Sequence, residues 1–452
     1  MSRTPSTDTI VAVATPAGRG AVGVVRLSGP QALPIAGQLC GALPPTRQAA
    51  LRHFRGADGI AIDQGLVLVF TAPGSFTGED VVELQGHGGP VVLQALVAAA
   101  CAQGARIARP GEFSERAFLN GRLDLAQAEA IADLIDAATR DAARAALRSL
   151  DGALSQRVAA LVEALTSLRV FVEGALDFSD EDIDWLADDG LRARVAALAT
   201  DLRQLLVEAG RGRRLRDGMT VALTGQPNVG KSTLLNRLAG ADVAIVTEIA
   251  GTTRDVLRES IDLDGLPLTL VDTAGLRDST DPVEREGIRR ARLALEQAEL
   301  ALYIVDAQHG VTDADRALLA AQPSRLPVLI VHNKCDLDAA APQRWEIDGQ
   351  VHLRLSAATG SGIELLMAEL RTLAGLGDAG ERSFSARARH VDALRRTLAF
   401  VLDAERRLLE GADAELAAEE LRLAQDALGE ITGRVSSDDL LGEIFARFCI
   451  GK

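Results

Sequence analysis

At 452 residues, 47% hydrophobic and 25% charged, the chain has the composition of an ordinary globular protein, long enough for roughly three domains of about 150 residues. Its 48 basic and 63 acidic side chains leave a net charge of −15, which excludes a protein that coats its whole surface with nucleic acid. Four scattered cysteines, Cys40, Cys101, Cys335 and Cys449, form neither a disulfide framework nor a CxxC pair, and no run reaches the ~18 apolar residues of a membrane span, so a cytoplasmic protein without a membrane segment is expected.

Residues 1 to about 120 are rich in Gly, Pro and β-branched residues. "TIVAVATP", "VGVVRLSG" and "GLVLVF" read as strands, and "PVVLQALVAAACAQG" reads as a helix ending at Gly104. Gly18, Gly20 and Gly23 fit the dinucleotide pattern GxGxxG, but a β-branched run follows where a helix is required, and "LPPTR" stands where an acidic residue should. A hairpin turn is the better reading.

From about residue 123 the texture is Ala, Leu and charge. Leu154, Val158, Leu161, Leu165, Leu168 and Val172 step by threes and fours, as do Leu191, Val195, Leu198, Leu202 and Leu205, which predicts two helices with narrow packing seams. The acidic "DFSDEDIDWLADD" between them reads as a solvated connector. In "RGRRLRD", Arg211, Arg213, Arg214 and Arg216 form the densest basic cluster, either a local patch or a solvated hinge. Short apolar strands then alternate with helices to about 375, after which Leu394, Leu398, Val401, Leu421, Ala424, Leu428 and Ile431 restore the helical rhythm. One helical domain in two segments, interrupted by a nucleotide-binding domain, is the simplest account; two unrelated helical domains is the alternative. The expected boundaries are 1–121, 122–216, 217–377 and 378–452.

The inserted segment carries the chemistry. After the strand Val221 to Thr224 comes Gly225-Gln-Pro-Asn228-Val229-Gly230-Lys231-Ser232-Thr233, the pattern GxxxxGK[ST] in its strand-loop-helix context. Backbone N–H groups and the helix N-terminus cradle phosphate there, Lys231 reaches the β and γ oxygens, and Ser232 holds Mg2+. Thr252 or Thr253 in "TEIAGTTRD" offers a hydroxyl to magnesium and the γ-phosphate, and Asp272-Thr273-Ala274-Gly275 reports on that phosphate. Asn333-Lys334-Cys335-Asp336 and Ser356-Ala357-Ala358 follow two further strands. A carboxylate at Asp336 accepts from both N1–H and the exocyclic amine of guanine, a pair adenine lacks, so the site is read as one for GTP. The glutamine that aims the attacking water in the best-known switches is absent, its place taken by Leu276.

Order and spacing resemble the translation-factor-related GTPases. "DTIVAVATPAGRGAVGVVRLSG", "SFTGEDVVELQGHGGP", "ARPGEFSERAFLNGRLDLAQAEAIADLIDA" and the final "FCIGK" narrow the resemblance, over nearly the whole chain, to the MnmE (TrmE) family of tRNA modification GTPases. It implies a multidomain α/β chain with an N-terminal α+β folate-binding and dimerisation domain, a discontinuous helical domain and an inserted Ras-like P-loop G domain.

It further implies that Thr247, Glu248, Ile249, Ala250, Gly251, Thr252 and Thr253 join the nucleotide contacts, with Mg2+ on Ser232 and Thr253. A K+ ion held by Asn228, Thr247, Ile249 and Thr252 would take the place of an arginine finger, with hydrolysis activated by pairing of G domains in a homodimer. Glu284 in "DPVEREG" matches the family's water-orienting residue, although a carboxylate favoured at a helix N-terminus explains it equally well. A tetrahydrofolate derivative, 5,10-methylene or 5-formyl, would be held by Arg26, Glu83 and Lys452. Arg122 stands in "FLNGR" where the family usually has lysine, with the same charge but a different geometry. The "CIGK" ending is a poor prenylation box, and Cys449 beside the presumed folate pocket is a candidate nucleophile. The implied reaction installs a carboxymethylaminomethyl or aminomethyl group at C5 of a tRNA wobble uridine with an FAD-dependent, MnmG-like partner. A regulatory RNA-binding GTPase of ribosome assembly and a folate-dependent methyltransferase are the rival readings.

Overall fold

The computed structural model describes residues 8–177, 189–240, 258–263, 265–272, 298–320, 326–338, 340–375, 383–410, 414–435, 438–446, 448 and 451. The chain forms two compact units, one of Met1–Ala132, Leu150–Val195 and Ala399–Lys452, the other of Asp133–Ser149 and Ala196–Leu398.

In the first unit, β1 (Ile10–Val13), β2 (Gly20–Ser28), β3 (Ala50–Arg55), β4 (Ala61–Phe70), β5 (Val81–Gly88) and β6 (Arg106–Ile107) form a sheet of order β3-β4-β5-β2-β1-β6. β1 and β2 are antiparallel neighbours, with Ile10 opposite Ser28, so the glycines from 18 onward belong to a hairpin and not to a dinucleotide turn. Inward residues of β4 and β5, such as Val67, Val69, Val82 and Leu84, alternate with more exposed ones and meet the helices Ala32–Cys40 and Pro90–Ala102 in one core. Pro90 opens its helix, where a missing N–H costs nothing, and Gly104 in the left-handed region (φ 104°) follows its end.

The same unit holds the helices Ala153–Asp177 and Ala414–Thr432. All six residues of the seam from Leu154 to Val172 are at most 5% exposed, and Leu421, Ala424, Leu428 and Ile431 are fully buried. Arg169 donates to the Gln425 side chain, which donates in turn to Thr166 at 3.1 Å, fixing the register of the two helices. A smaller core joins Leu125 and Ala128 to Leu441, Ile444, Phe445 and Phe448. The penultimate residue, Gly451 (φ 97°), is buried against β1; a Cβ there would stand 2.1 Å from the Val13 carbonyl oxygen. The acidic connector lies outside the described residues except for its ends, Asp177 and Asp189.

The second unit is built on β7 (Met219–Thr224), β8 (Arg258–Leu263), β9 (Leu266–Asp272), β10 (Leu300–Asp306), β11 (Val328–Asn333), β12 (Gln343–Ile347) and β13 (Gln350–Arg354), in the order β12-β13-β11-β10-β7-β9-β8. The five inner strands run parallel and the two edges antiparallel. Central strands of a parallel sheet are covered on both faces, which is why β7 and β10 read as continuous apolar runs.

The basic cluster is neither an open patch nor a hinge. It ends the helix Asp189–Asp217, where Arg213 pairs with Glu299 at 2.7 Å, Arg214 donates to the Ala374 carbonyl, and Arg216 pairs with Asp133 at 2.6 Å. Asp133, nearly buried, also receives Arg387 at 2.6 Å, so one carboxylate joins the residues just before β7 to those that follow the last helix of the sheet. Removal of that carboxylate would take a shared counter-ion from two guanidinium groups, of which Arg216 keeps its second pairing, to Asp217. Among the described residues no helix is long and apolar enough to cross a membrane.

Candidate functional site

β7 delivers the chain into the phosphate-loop motif at the carboxyl end of the sheet, where open α/β sheets place their ligands. Gly225 (φ 128°) approaches β10 so closely that a Cβ would sit 2.2 Å from the Ile304 carbonyl oxygen. Asn228 takes the left-handed conformation (φ 61°) and is exposed, and Gly230 (φ 99°) leads into the helix Lys231–Gly240. Asparagine is among the few non-glycine residues that tolerate that region. Lys231 Nζ donates to the carbonyls of Gly225 at 3.0 Å and Gln226 at 2.8 Å, which folds the lysine across its own loop. Ser232 and Thr233 are exposed in the first turn of the helix, at the positive end of its dipole.

Asn333 holds three expected segments together. It is 2% exposed; its Nδ2 donates to the Val229 carbonyl at 2.8 Å, and its Oδ1 accepts from the Ala357 N–H at 2.9 Å. Lys334, left-handed at φ 71°, pairs through Nζ with Asp306 Oδ2 at 2.8 Å. Burial opposes the Asp306 charge, but Lys334 and the Gln308 N–H hold its carboxyl below the usual carboxylate range. Asp336 stands exposed two residues further on, and Ser356 is buried. Asp272 ends β9 with its Cα opposite Leu223, beside the entry to the phosphate loop.

Thr247, Glu248, Ile249, Ala250, Gly251, Thr252, Thr253, Thr273, Ala274, Gly275, Leu276 and Glu284 lie outside the described residues, as do Cys449 and Lys452. In the first unit, Arg26 and Glu83 face each other across β2 and β5 and form an ion pair at 2.8 Å. The Arg26 guanidinium also stands 5.5 Å from the Phe76 ring and 5.7 Å from that of Phe113, within cation–π range. Arg122 is exposed; its Cγ would be 3.2 Å from a Cβ placed on Gly78.

Three supporting groups escape a reading by motif. Asp306 has a positional signal, an aspartate at the carboxyl end of a buried strand. Arg237 donates through Nε to the Ala357 carbonyl at 3.0 Å and through Nη2 to that of Ala358. Asp315, 3% exposed, accepts from Gln226 of the phosphate loop at 3.1 Å, from the hydroxyl of Tyr303 at 3.0 Å, and from Thr312. Burial opposes its charge, yet these donors keep its carboxyl below the usual range, and burial together with Asp315 pushes the Tyr303 phenol up. On β11 to β13, His332 Nε2 and His352 Nδ1 share a hydrogen bond at 3.1 Å beside Trp345.

The family model of the MnmE helical domain matches residues 125–449, and that of the GTP-binding protein TrmE N-terminus matches residues 9–122. A "tRNA modification GTPase MnmE" of Methylococcus capsulatus is 54% identical over 449 residues, 99% of each chain. One of Sodalis glossinidius is 53% identical over 451 residues, again 99% of each chain. A solved structure of Aquifex aeolicus Era bound to GDP·AlF4− aligns at 24% identity and a TM-score of 0.28, over 40% of this chain and 66% of that one. With identity above one half sustained from end to end, and both family models matched in order, this chain belongs to the tRNA modification GTPase MnmE family.

Proposed function

We propose that this chain is a GTP-hydrolysing enzyme of tRNA modification. The observation that carries the reading is its full-length identity of 54% with a tRNA modification GTPase, and the loops joined at Asn333 support it. GTP lies with its phosphates over the N–H groups of residues 228–233 and its guanine edge on Asp336, with Lys334, Ser356, Ala357 and Ala358 around the base. Lys231 leaves the two loop carbonyls for the β and γ oxygens. The donor set is hard oxygen and fits Mg2+, with the exposed Ser232 hydroxyl at a helix start and Asp272 ending the neighbouring strand. Ser232 and Thr253 would hold that ion, which supplies charge neutralisation between the β and γ phosphates.

Leu276 brings no polar group to the attacking water. Glu284 is assigned that task, and the side-chain oxygen of Asn228, with Thr247, Ile249 and Thr252, is assigned a K+ site that a second G domain of a homodimer completes. An exposed asparagine held in the left-handed conformation suits such a role. For a reduced folate, 5,10-methylene or 5-formyl, the paired Arg26 and Glu83, with two phenylalanine rings near the Arg26 guanidinium, fit a ligand with an anionic tail and an aromatic ring bearing N–H donors. Arg122 and Lys452 complete that set. The domain limits 1–121, 122–216, 217–377 and 378–452, the cytoplasmic location, an FAD-dependent MnmG-like partner and wobble-uridine tRNA substrates belong to the same reading.

Mass spectrometry of tRNA nucleosides from cells lacking this chain tests it. Loss of the aminomethyl-type wobble uridines, restored by the intact gene and not by a Lys231→Ala form, is the expected result. An unchanged nucleoside profile refutes the tRNA role.

A further inference from the structure

The loop 356–361 can be audited N–H by N–H, since every backbone donor near a binding site has to go somewhere. Ser356 N–H donates to the Ser361 carbonyl and Gly360 N–H to the Ser356 carbonyl. Thr359 N–H donates to Ser356 Oγ at 3.2 Å, and Ser361 N–H to Thr359 Oγ1 at 3.4 Å. Ala357 N–H goes to Asn333 at 2.9 Å. Among the described residues, the N–H of Ala358 alone in this loop has no acceptor, and Ala358 is exposed.

The direction of that N–H is set by Arg237. Its side chain rises from the helix that Lys231 opens and donates to two successive carbonyls, those of Ala357 and Ala358. A guanidinium is a rigid planar fork, so this grip orients two adjacent peptide planes together. In a trans peptide the C=O and the following N–H point in opposite directions. With the Ala357 carbonyl drawn toward Arg237, the Ala358 N–H is turned away from it.

We propose that Arg237 is a positioning residue for base selection, aiming the Ala358 N–H at O6 of the guanine whose N1–H and 2-amino group Asp336 accepts. This rests on the guanine-nucleotide reading of the site. Asp336 recognises only donors on the base edge. The acceptor on that edge, O6, needs an N–H, and Ala358 supplies it. Arg237 touches neither base nor phosphate and acts through the loop.

The test uses the full chain and displacement of a fluorescent GTP analogue by GTP, by 6-thioguanosine triphosphate, which weakens only the O6 acceptor, and by inosine triphosphate, which lacks only the 2-amino group. Wild type is expected to favour GTP in both comparisons. R237A should bind GTP about tenfold more weakly and lose most of the preference over the 6-thio nucleotide, the scale of one hydrogen bond. Its preference over inosine triphosphate should stay at the wild-type value. R237Q, with one amide donor for the two carbonyls, should fall between, and it decides the matter if R237A does not fold. A wild-type preference over the 6-thio nucleotide in either folded variant, or an equal drop in both preferences, overturns the role of Arg237. If the wild type does not bind GTP, the guanine-site reading itself falls.

Discussion

Replacing Asn333 by alanine removes a side chain that is 2% exposed and holds Val229 O at 2.8 Å and Ala357 N–H at 2.9 Å. Both backbone groups would then be buried without a partner, at about 1–3 kcal/mol each, of which the open loops recover part through water. A net loss of about 2–4 kcal/mol follows. At roughly 2–4 °C per kcal/mol for a unit of 150–250 residues, the melting temperature should fall by about 5–15 °C. Calorimetry of the full chain measures this directly. Asn333→Asp sharpens the test. It keeps the acceptor toward Ala357 but turns an oxygen toward the Val229 carbonyl, so its loss should match or exceed that of alanine at neutral pH. The loss should ease as acid protonates the new carboxyl and restores an O–H donor. If both variants melt with the wild type, the contacts of Asn333 do not hold these loops together.

Gly225→Ala must place a methyl 2.2 Å from the Ile304 carbonyl oxygen, a backbone atom that cannot step aside, whereas the added methyl of Gly230→Ala meets the Asn333 amide at 2.3 Å. Both should lose GTP binding in an equilibrium assay, with the larger loss of thermal stability at Gly225; wild-type binding in either would contradict the loop geometry. GTP turnover should be much faster in KCl than in NaCl, and Glu284→Ala should lose turnover while still binding GTP; equal rates in the two salts remove the potassium site, and failure to bind makes Glu284 structural. Burial, with His352 and Arg354 nearby, pulls the His332 imidazole from 6.5 to about 4. The unfolded chain therefore takes up a proton between those values that the folded chain refuses, so stability is full above about 6.5 and falls as pH drops toward 4. A His332→Asn variant should flatten the stability profile over that window in chemical denaturation; an unchanged slope would assign the acid sensitivity elsewhere.

What could be read from the sequence was local or periodic. The strand-loop-helix around Lys231 is contiguous, and its glycines mark the positive φ angles that appear at 225 and 230. The seams from Leu154 and Leu191 are buried as their spacing requires, because a helix repeats its face every three or four residues. The hairpin at the Gly18 cluster followed from the β-branched run behind it. Hidden contacts were those between residues far apart in the chain. Arg237 and Ala357 are 120 positions apart, Arg387 and Asp133 254, and neither residue of either pair has a flanking pattern that names the other. The arginines of "RGRRLRD" show the same limit: their charge was visible, but the carboxylates and carbonyl that occupy them lie in other segments. Asp315 was equally silent, since its meaning comes from Gln226 and Tyr303 meeting it in space.

The two histidines beside Trp345 have an optical consequence. The indole lies 4.9 Å from the His332 ring and 5.4 Å from that of His352, and a protonated imidazole at such range quenches indole emission. The chain has two tryptophans, and the other, Trp185, falls in the acidic connector. A Trp185→Phe form would carry a single tryptophan, on the edge of the nucleotide-binding sheet, which can be excited apart from Tyr303. Its brightness against pH would follow the protonation of the histidine pair as a whole, and its lifetime would follow events at the neighbouring Asn333 corner without an attached dye.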